Sequence, residues 1–334
     1  MKVVYVTSRG GVLRRTGERL ELVLQREVRS TVPLHDLGQL VVQGGVTITP
    51  AAIDAMLDRG VDVVLLSASG NYRGRIVTGA SGNARLRLAQ YDLARDPDRS
   101  LGLAKRIVAG KVLAQRRVLL RHRRRHGDTP ELATADVALR AAAARAQLTT
   151  TLDELRGCEG SGAAAYFRVF GSLLRAEGFH FDGRNRRPPL DPVNALLSLG
   201  YTLLSNAVEA AVAIVGLDPH LGVLHAVEAG RPSLVCDLIE EHRAPVVDTL
   251  VLAAVNQAAV TPDDFEDMGE GEPVFVKREA LRWFVTLFER KLARATPYAP
   301  IAKSLPWRQV FEQQARLYAR EVLGKDRYQC HEVR

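Results

Sequence analysis

The spacing of apolar residues changes at Gly82, and no fold of a single secondary-structure class accommodates both sides of that change. From Met1 to about Gly82 the runs KVVYVTS, GVLRR, RLELVL, QLVVQ and VDVVLLS are short and rich in Val and Leu, with the turn-forming SRGG, TGE and SGN between them. This is the pattern of β-strands. One amphipathic helix interrupts it over residues 50–59, with Thr49 ahead of Pro50 as its start and Gly60 as its stop. After Gly82 apolar residues recur at three and four in LAKRIVAGKVLAQRRVLL, ADVALRAAAARAQL, AAAYFRVFGSLL, LLSLGYTLLSNAVEAAVAIV and LRWFVTLFERKLA, the spacing of helices. Pro and Gly fall between these segments, as in helix connections. The sequence predicts an α+β protein, with a small N-terminal β-rich domain over residues 1–82 and a larger, essentially all-α C-terminal domain over residues 83–334.

A chain of 334 residues that is 46% hydrophobic can bury two cores. Lys and Arg outnumber Asp and Glu by 46 to 38, a formal charge of +8. That excess admits a polyanionic partner, but it also arises in Arg-rich proteins that never touch nucleic acid. Cys158, Cys236 and Cys330 are odd in number, far apart and without a C-x-x-C pair, which argues against zinc-ribbon or dithiol chemistry and fits a reducing cytoplasm. The N-terminus lacks the apolar core of a secretory signal, and no window is read as approaching the length of a membrane span. A soluble, cytoplasmic protein without a membrane partner is predicted.

The densest polar constellation is HAVEAGRPSLVCDLIEEHRAPVVD, where Pro232 and Ser233 can begin a helix. On a helical wheel Asp237, Glu240, Glu241 and Asp248 share one face and Leu234, Val235, Leu238, Ile239 and Val246 occupy the other. That acidic face is either a solvated helix side or a metal-binding surface. His225, after the run LGVL, is either a structural residue or a ligand. Glu159 lies among Gly157, Gly160 and Gly162; such small neighbours permit close approach of another surface, and a buried carboxylate there needs a partner or a metal.

Basic residues cluster twice. RRVLLRHRRRH, residues 116–126, lies late in a predicted helix, where positive charge also complements the helix dipole. GRNRRPPLDP, residues 183–192, presents Arg184, Arg186 and Arg187 in a Pro-rich loop, a better setting for bidentate phosphate contacts. Arg243 has two readings, a phosphate contact or an ion pair with Glu240 or Asp237. Tyr166 has two as well, stacking on an unpaired base or packing in the core. For Asp237, holding His225 in one tautomer ranks ahead of binding a second ion or orienting water.

The ordered motifs EG-x-x-A-x-x-YF, RxRRPPxDPxNALLSLGYTLL, GLDPxLGxLH and RxSLxxDLxEExR, together with VVxGGxTIT, VVLLSxxGxYxG and NxRLRxxQY, extend over nearly all the chain. In their order the chain resembles the Cas1 family of CRISPR-associated adaptation integrases and endonucleases. The resemblance implies an N-terminal domain that forms the homodimer and a helical domain whose metal site combines Glu159, His225 and Glu240, with Asp237 beside them in the catalytic set. It implies Mg²⁺ or Mn²⁺ as cofactor, double-stranded DNA (prespacer and repeat array) as substrate, and a Cas2 dimer flanked by two such dimers; an accessory trimming nuclease is a further candidate partner. The implied chemistry is attack of a prespacer 3′-hydroxyl on a repeat phosphate. Departures are Cys158 before Glu159, His242 after the two acids, and the acidic stretch at residues 263–272, whose six carboxylates would repel phosphate. Read without the resemblance, the same residues also suit a stand-alone nuclease on branched DNA, or a non-catalytic DNA-binding scaffold.

Overall fold

The computed structural model describes residues 2–67, 72–76, 84–185, 188–267, 269 and 272–332, with the backbone alone at Lys2, Val3, Asp62 and Asp267. The strand-rich region contains β1 (Lys2–Val6), β2 (Val12–Thr16), β3 (Arg19–Leu24), β4 (Glu27–Pro33), β5 (Leu37–Gln43), β6 (Thr47–Ile48), helix α1 (Pro50–Asp58), β7 (Asp62–Leu66) and β8 (Tyr72–Ile76). Two four-stranded sheets result, ordered β1-β5-β7-β8 and β4-β3-β2-β6. In the first, β1, β5 and β7 are parallel and β8 is antiparallel; the second is an antiparallel meander with β6 parallel to β2. Leu13, Leu20, Leu40, Met56 and Val63 sit in the core between them. Thr49 caps α1 as its sequence requires, accepting from the Ala52 amide at 3.4 Å. Strand β4 carries no apolar alternation because its first five residues are exposed at a sheet edge, so the sequence pattern passes over it.

The second region is mostly helical. It contains α2 (Ala84–Arg95), α3 (Pro97–His126), α4 (Pro130–Leu148), α5 (Leu152–Phe170), α6 (Pro192–Val215), α7 (Ser233–His242) and α8 (Thr249–Asn256). Between α7 and α8 lies a π-helical stretch, Arg243–Asp248. After two short strands, β9 (Phe265–Asp267) and β10 (Val274–Val276), come α9 (Arg278–Ala293), β11 (Ala295–Tyr298), β12 (Lys303–Pro306) and α10 (Trp307–Val322). The helical character expected of this region holds, with the antiparallel ribbons β9–β10 and β11–β12 as short additions; strands of three and four residues are too short to show a period. The expected domain boundary at 82/83 lies outside the described residues.

Helix α6 is long and apolar enough, by length and composition, to cross a membrane, which corrects the reading that no segment approaches that length. Val193, Leu196, Leu197, Leu204 and Val212 are buried in the helical core, and a helix surrounded by other elements reads as apolar on most faces. Its C-terminal end also meets the strand-rich region. Gln39 donates to the Ile214 carbonyl at 2.6 Å, and Ile214 packs with Val41 and Val64.

Candidate metal centre

Asp237 and Glu240 lie three residues apart on α7, which places their side chains on one face. The chain entering α7 wraps back over this face. Gly216, in a left-handed conformation at φ 84, ends α6 and redirects the backbone. Residues 222–225 then pass over Asp237, whose carboxylate accepts from the amides of Val223 (2.6 Å), Leu224 (3.0 Å) and His225 (3.0 Å). The passage is close enough that a Cβ at position 222 would stand 2.7 Å from Asp237 Oδ2 and from the Ser233 backbone, so the position requires Gly.

Asp237 Oδ1 also lies 2.7 Å from His225 Nδ1. A carboxylate at that nitrogen retains its proton and leaves Nε2 as the ring's lone-pair donor, 3.9 Å from Glu240 Oε1. Asp237 thus lies against the ring nitrogen opposite the one that is nearer Glu240.

Glu159 arrives from α5, which starts with a capping box formed by Thr151 and Glu154. Of its small neighbours, Gly162 is the one that contacts another helix: a Cβ there would meet Val112 of α3 at 3.0 Å, whereas Gly157 and Gly160 face open space. That close crossing brings Glu159, one turn earlier on α5, to Lys111 of α3. The Lys111 ammonium bonds to Glu159 and lies 2.8 Å from Glu240 Oε2. Helices α5 and α7 therefore each place a carboxylate on one buried ammonium of α3, and the loop bearing His225 reaches Glu240.

Lys111 is the residue that sequence reasoning missed. A signal was available: it falls on the buried stripe of α3 with Ile107, Val108 and Gln115, where a lysine has to be paired. Arg243 completes the charge set, with Nη2 at 3.2 Å from Glu240 Oε1 and its guanidinium 4.8 Å from the Tyr201 ring centroid. Of its two sequence readings, the structure displays the ion pair with Glu240. Burial pushes the Glu240 carboxyl toward its neutral form, but Arg243, Lys111 and His225 reverse that and hold it ionised well below the usual carboxylate range.

Among the described residues no group of three His, Cys, Asp or Glu side chains is assembled as it stands to hold a metal ion. The Lys111 ammonium stands between the two carboxylates. The donors nevertheless suit a divalent cation: Glu240 Oε2 is buried without an aligned hydrogen bond despite the nearby ammonium, and two carboxylates with one imidazole are a donor set that Mg²⁺ or Mn²⁺ accepts.

Several expected site residues lie elsewhere. The shared acidic face does not exist as a solvated surface, since Asp237, Glu240, Glu241 and Asp248 are all buried. Glu241 turns away and binds the C-terminal segment, accepting from Gln314 (2.8 Å), Tyr328 (2.8 Å) and the His331 amide (2.7 Å). The wheel fails at Asp248 because the intervening turn is π-helical; Pro245 has no N–H and would crowd the carbonyl four residues earlier in an α-helix. Tyr166 is 0% exposed and donates to Asp248 Oδ2 at 3.0 Å, which corrects its assignment to base stacking. Arg184, half-buried, donates to Asn194 Oδ1 (2.6 Å) and Ser198 Oγ (3.0 Å), bonds that anchor its loop to α6. Arg186 and Arg187 lie outside the described residues.

A strand-rich region joined to a helical one is the architecture of solved Cas1 structures. The chain superposes on a Cas1 protein from Thermotoga maritima with TM-score 0.80 at 22% identity, covering 98% of this chain and 97% of that one. A partial Cas6-RT-Cas1–Cas2 complex matches with TM-score 0.82 at 24% identity (100% and 99% covered), and a casposase bound to integration product with 0.79 at 24% (98% and 97%).

The chain belongs to the Cas1 family: the profile described as CRISPR associated protein Cas1 matches residues 4–290. It is 38% identical over 333 residues to the CRISPR-associated endonuclease Cas1 2 of Rhodospirillum rubrum (97% of this chain, 96% of the relative). The CRISPR-associated endonuclease Cas1 3 of Thermus thermophilus is 37% identical over 335 residues (99% and 97%). A CRISPR-associated exonuclease Cas4/endonuclease Cas1 fusion from Geobacter sulfurreducens is 33% identical over 328 residues (96% and 58%).

Proposed function

We propose that this protein is a metal-dependent DNA integrase and endonuclease of CRISPR adaptation, which joins a prespacer 3′-hydroxyl to a repeat phosphate by transesterification. The observation that carries the reading is that Glu159 of α5 and Glu240 of α7 share the Lys111 ammonium while His225 Nε2 lies 3.9 Å from Glu240, in a chain of the Cas1 family. Relatives named as endonucleases and a casposase of the same fold bound to integration product support it.

Glu159, His225 Nε2 and Glu240 are the residues that would hold Mg²⁺ or Mn²⁺. A divalent ion there supplies Lewis acidity toward the phosphate and lowers the pKa of an attacking hydroxyl. Glu240 is kept ionised for this purpose by Arg243 and Lys111. Asp237 fixes the ring so that Nε2, not Nδ1, faces the site. Lys111 keeps the two carboxylates together as the internal counterion of the metal-free protein, and Arg243 adds a fixed cation beside Glu240 for a phosphate.

The assembly we infer is a homodimer through the strand-rich region, with two dimers flanking a Cas2 dimer and double-stranded prespacer and repeat DNA bound across them, in the cytoplasm. The solved Cas6-RT-Cas1–Cas2 complex supports the Cas2 partner, and the Geobacter fusion supports an accessory Cas4-like nuclease.

The test is strand transfer into a repeat-containing plasmid by wild type, Glu240→Ala and His225→Ala with Mn²⁺, Mg²⁺ or EDTA. Joined product that requires the divalent ion and is lost in both variants is expected. Unimpaired integration by either variant overturns the site. Shortened fragments without joined product, when a competent 3′ end is supplied, identify a hydrolase instead.

A further inference from the structure

The arginines of α3 fall into two populations. Arg116 and Arg123 bond to Asp136, and Arg117 pairs with Glu332 at 3.0 Å. Arg121 and Arg125, at the C-terminal end of the same helix, have no ion-pair partner among the described residues. They open onto a cavity of about 480 Å³, which Arg175, Lys291 and Arg294 also line, and no Asp or Glu is among its lining residues.

Five cations around a cavity with no carboxylate among the described residues that line it repel one another, and a fold retains such a cluster at a cost unless an anion joins it. The walls are fixed. Asn256 of α8 accepts from the Arg175 amide at 2.7 Å and donates to the Leu173 carbonyl at 2.9 Å, and Lys291 donates to Thr249 at 3.2 Å. Burial, followed by repulsion from Arg121 and Arg294, brings the Lys291 pKa down to about 8, the response of an ammonium that lacks a carboxylate. His122 and His126 add further nitrogen donors.

We propose that this cavity is a phosphate-binding site separate from the metal centre, taking phosphate groups either from a DNA strand or from a free oligophosphate. Guanidinium groups bind phosphate oxygens bidentately, and the volume lies in the range of small-ligand sites. Arg121 and Arg125 follow Lys111 by ten and fourteen residues on α3, about 15 and 21 Å along the helix. A DNA strand advances about 3.4 Å per nucleotide, so this separation along α3 corresponds to about four to six nucleotides. The site requires no metal and goes beyond the integrase reading.

The experiment is therefore run in EDTA. Inorganic tripolyphosphate and a fluorescent single-stranded oligonucleotide are titrated into wild type, the double variant Arg121→Gln/Arg294→Gln, Lys291→Met, and Arg116→Gln as a paired-arginine control. The cavity variants are expected to weaken at least one probe about tenfold or more, and Arg116→Gln to weaken neither. If the oligonucleotide is affected, its log–log salt slope should also fall by about 0.7 for each phosphate that the protein no longer neutralises, which assigns the source to DNA. Loss of tripolyphosphate binding alone assigns a free oligophosphate. Unchanged affinity for both probes in cavity variants that melt like wild type overturns the proposal.

Discussion

Asp237 Oδ1 accepts both the backbone amide of His225, at 3.0 Å, and its ring Nδ1, at 2.7 Å. One buried carboxylate thereby sets where the imidazole sits and which of its nitrogens faces Glu240.

Asp237→Asn removes that control, because an amide offers one acceptor oxygen where the carboxylate serves three backbone amides and a ring. Outer-shell losses of this kind reduce metal affinity by roughly 10- to 100-fold. The Mn²⁺ concentration for half-maximal strand transfer should rise accordingly; an unchanged requirement would assign Asp237 a purely structural role.

Lys111→Met leaves Glu159 and Glu240 without their shared counterion. Breaking a buried ion pair from one side costs about 3–5 kcal/mol, so the metal-free variant should melt below wild type in EDTA. Mn²⁺ should raise its melting temperature more than it raises that of wild type, since the ion replaces the missing charge. Identical melts for the two proteins would count against Lys111 as the internal counterion.

Tyr166→Phe deletes the bond to buried Asp248. Hydrogen bonds to charged acceptors contribute roughly 1.5–3 kcal/mol, so a stability loss of that order is expected in denaturant melts at pH 7, with DNA affinity unchanged. A large fall in oligonucleotide affinity would restore the base-stacking role.

His331 packs against Tyr298 and Trp307, and burial, then Arg117, holds its pKa down to about 4. The folded ring stays neutral where the unfolded chain takes up a proton near pH 6.5. The unfolded state binds more protons below that pH, so this contribution is fully present above about 6.5 and is lost as pH falls toward 4. His331→Leu should flatten the decline of melting temperature with pH over that window; a slope equal to that of wild type would refute it.

Part of the candidate site was legible in the sequence because its side chains sit in local patterns. Helix α7 begins at the Pro232–Ser233 signal, Asp237 and Glu240 share a face by helical spacing, and Glu159 stands among the small residues that admit α3. The wheel grouped the acids wrongly because it assumes one helical geometry and knows nothing of neighbours. Glu241 is drawn to Gln314 and Tyr328, and the π-helical turn at Pro245 re-aims Asp248 toward Tyr166 and Tyr201.

By itself the sequence determined the strand-rich and helical halves and the starts of α1 and α7, because periodicity, caps and turn residues act within a few positions. Only the tertiary structure decided that Lys111 stands between Glu159 and Glu240, that Arg121 and Arg125 of α3 line one cavity with Lys291, and that Tyr166 is core. Those outcomes depend on how helices cross, and a crossing brings together residues 48 and more positions apart whose pairing leaves no local pattern in the chain.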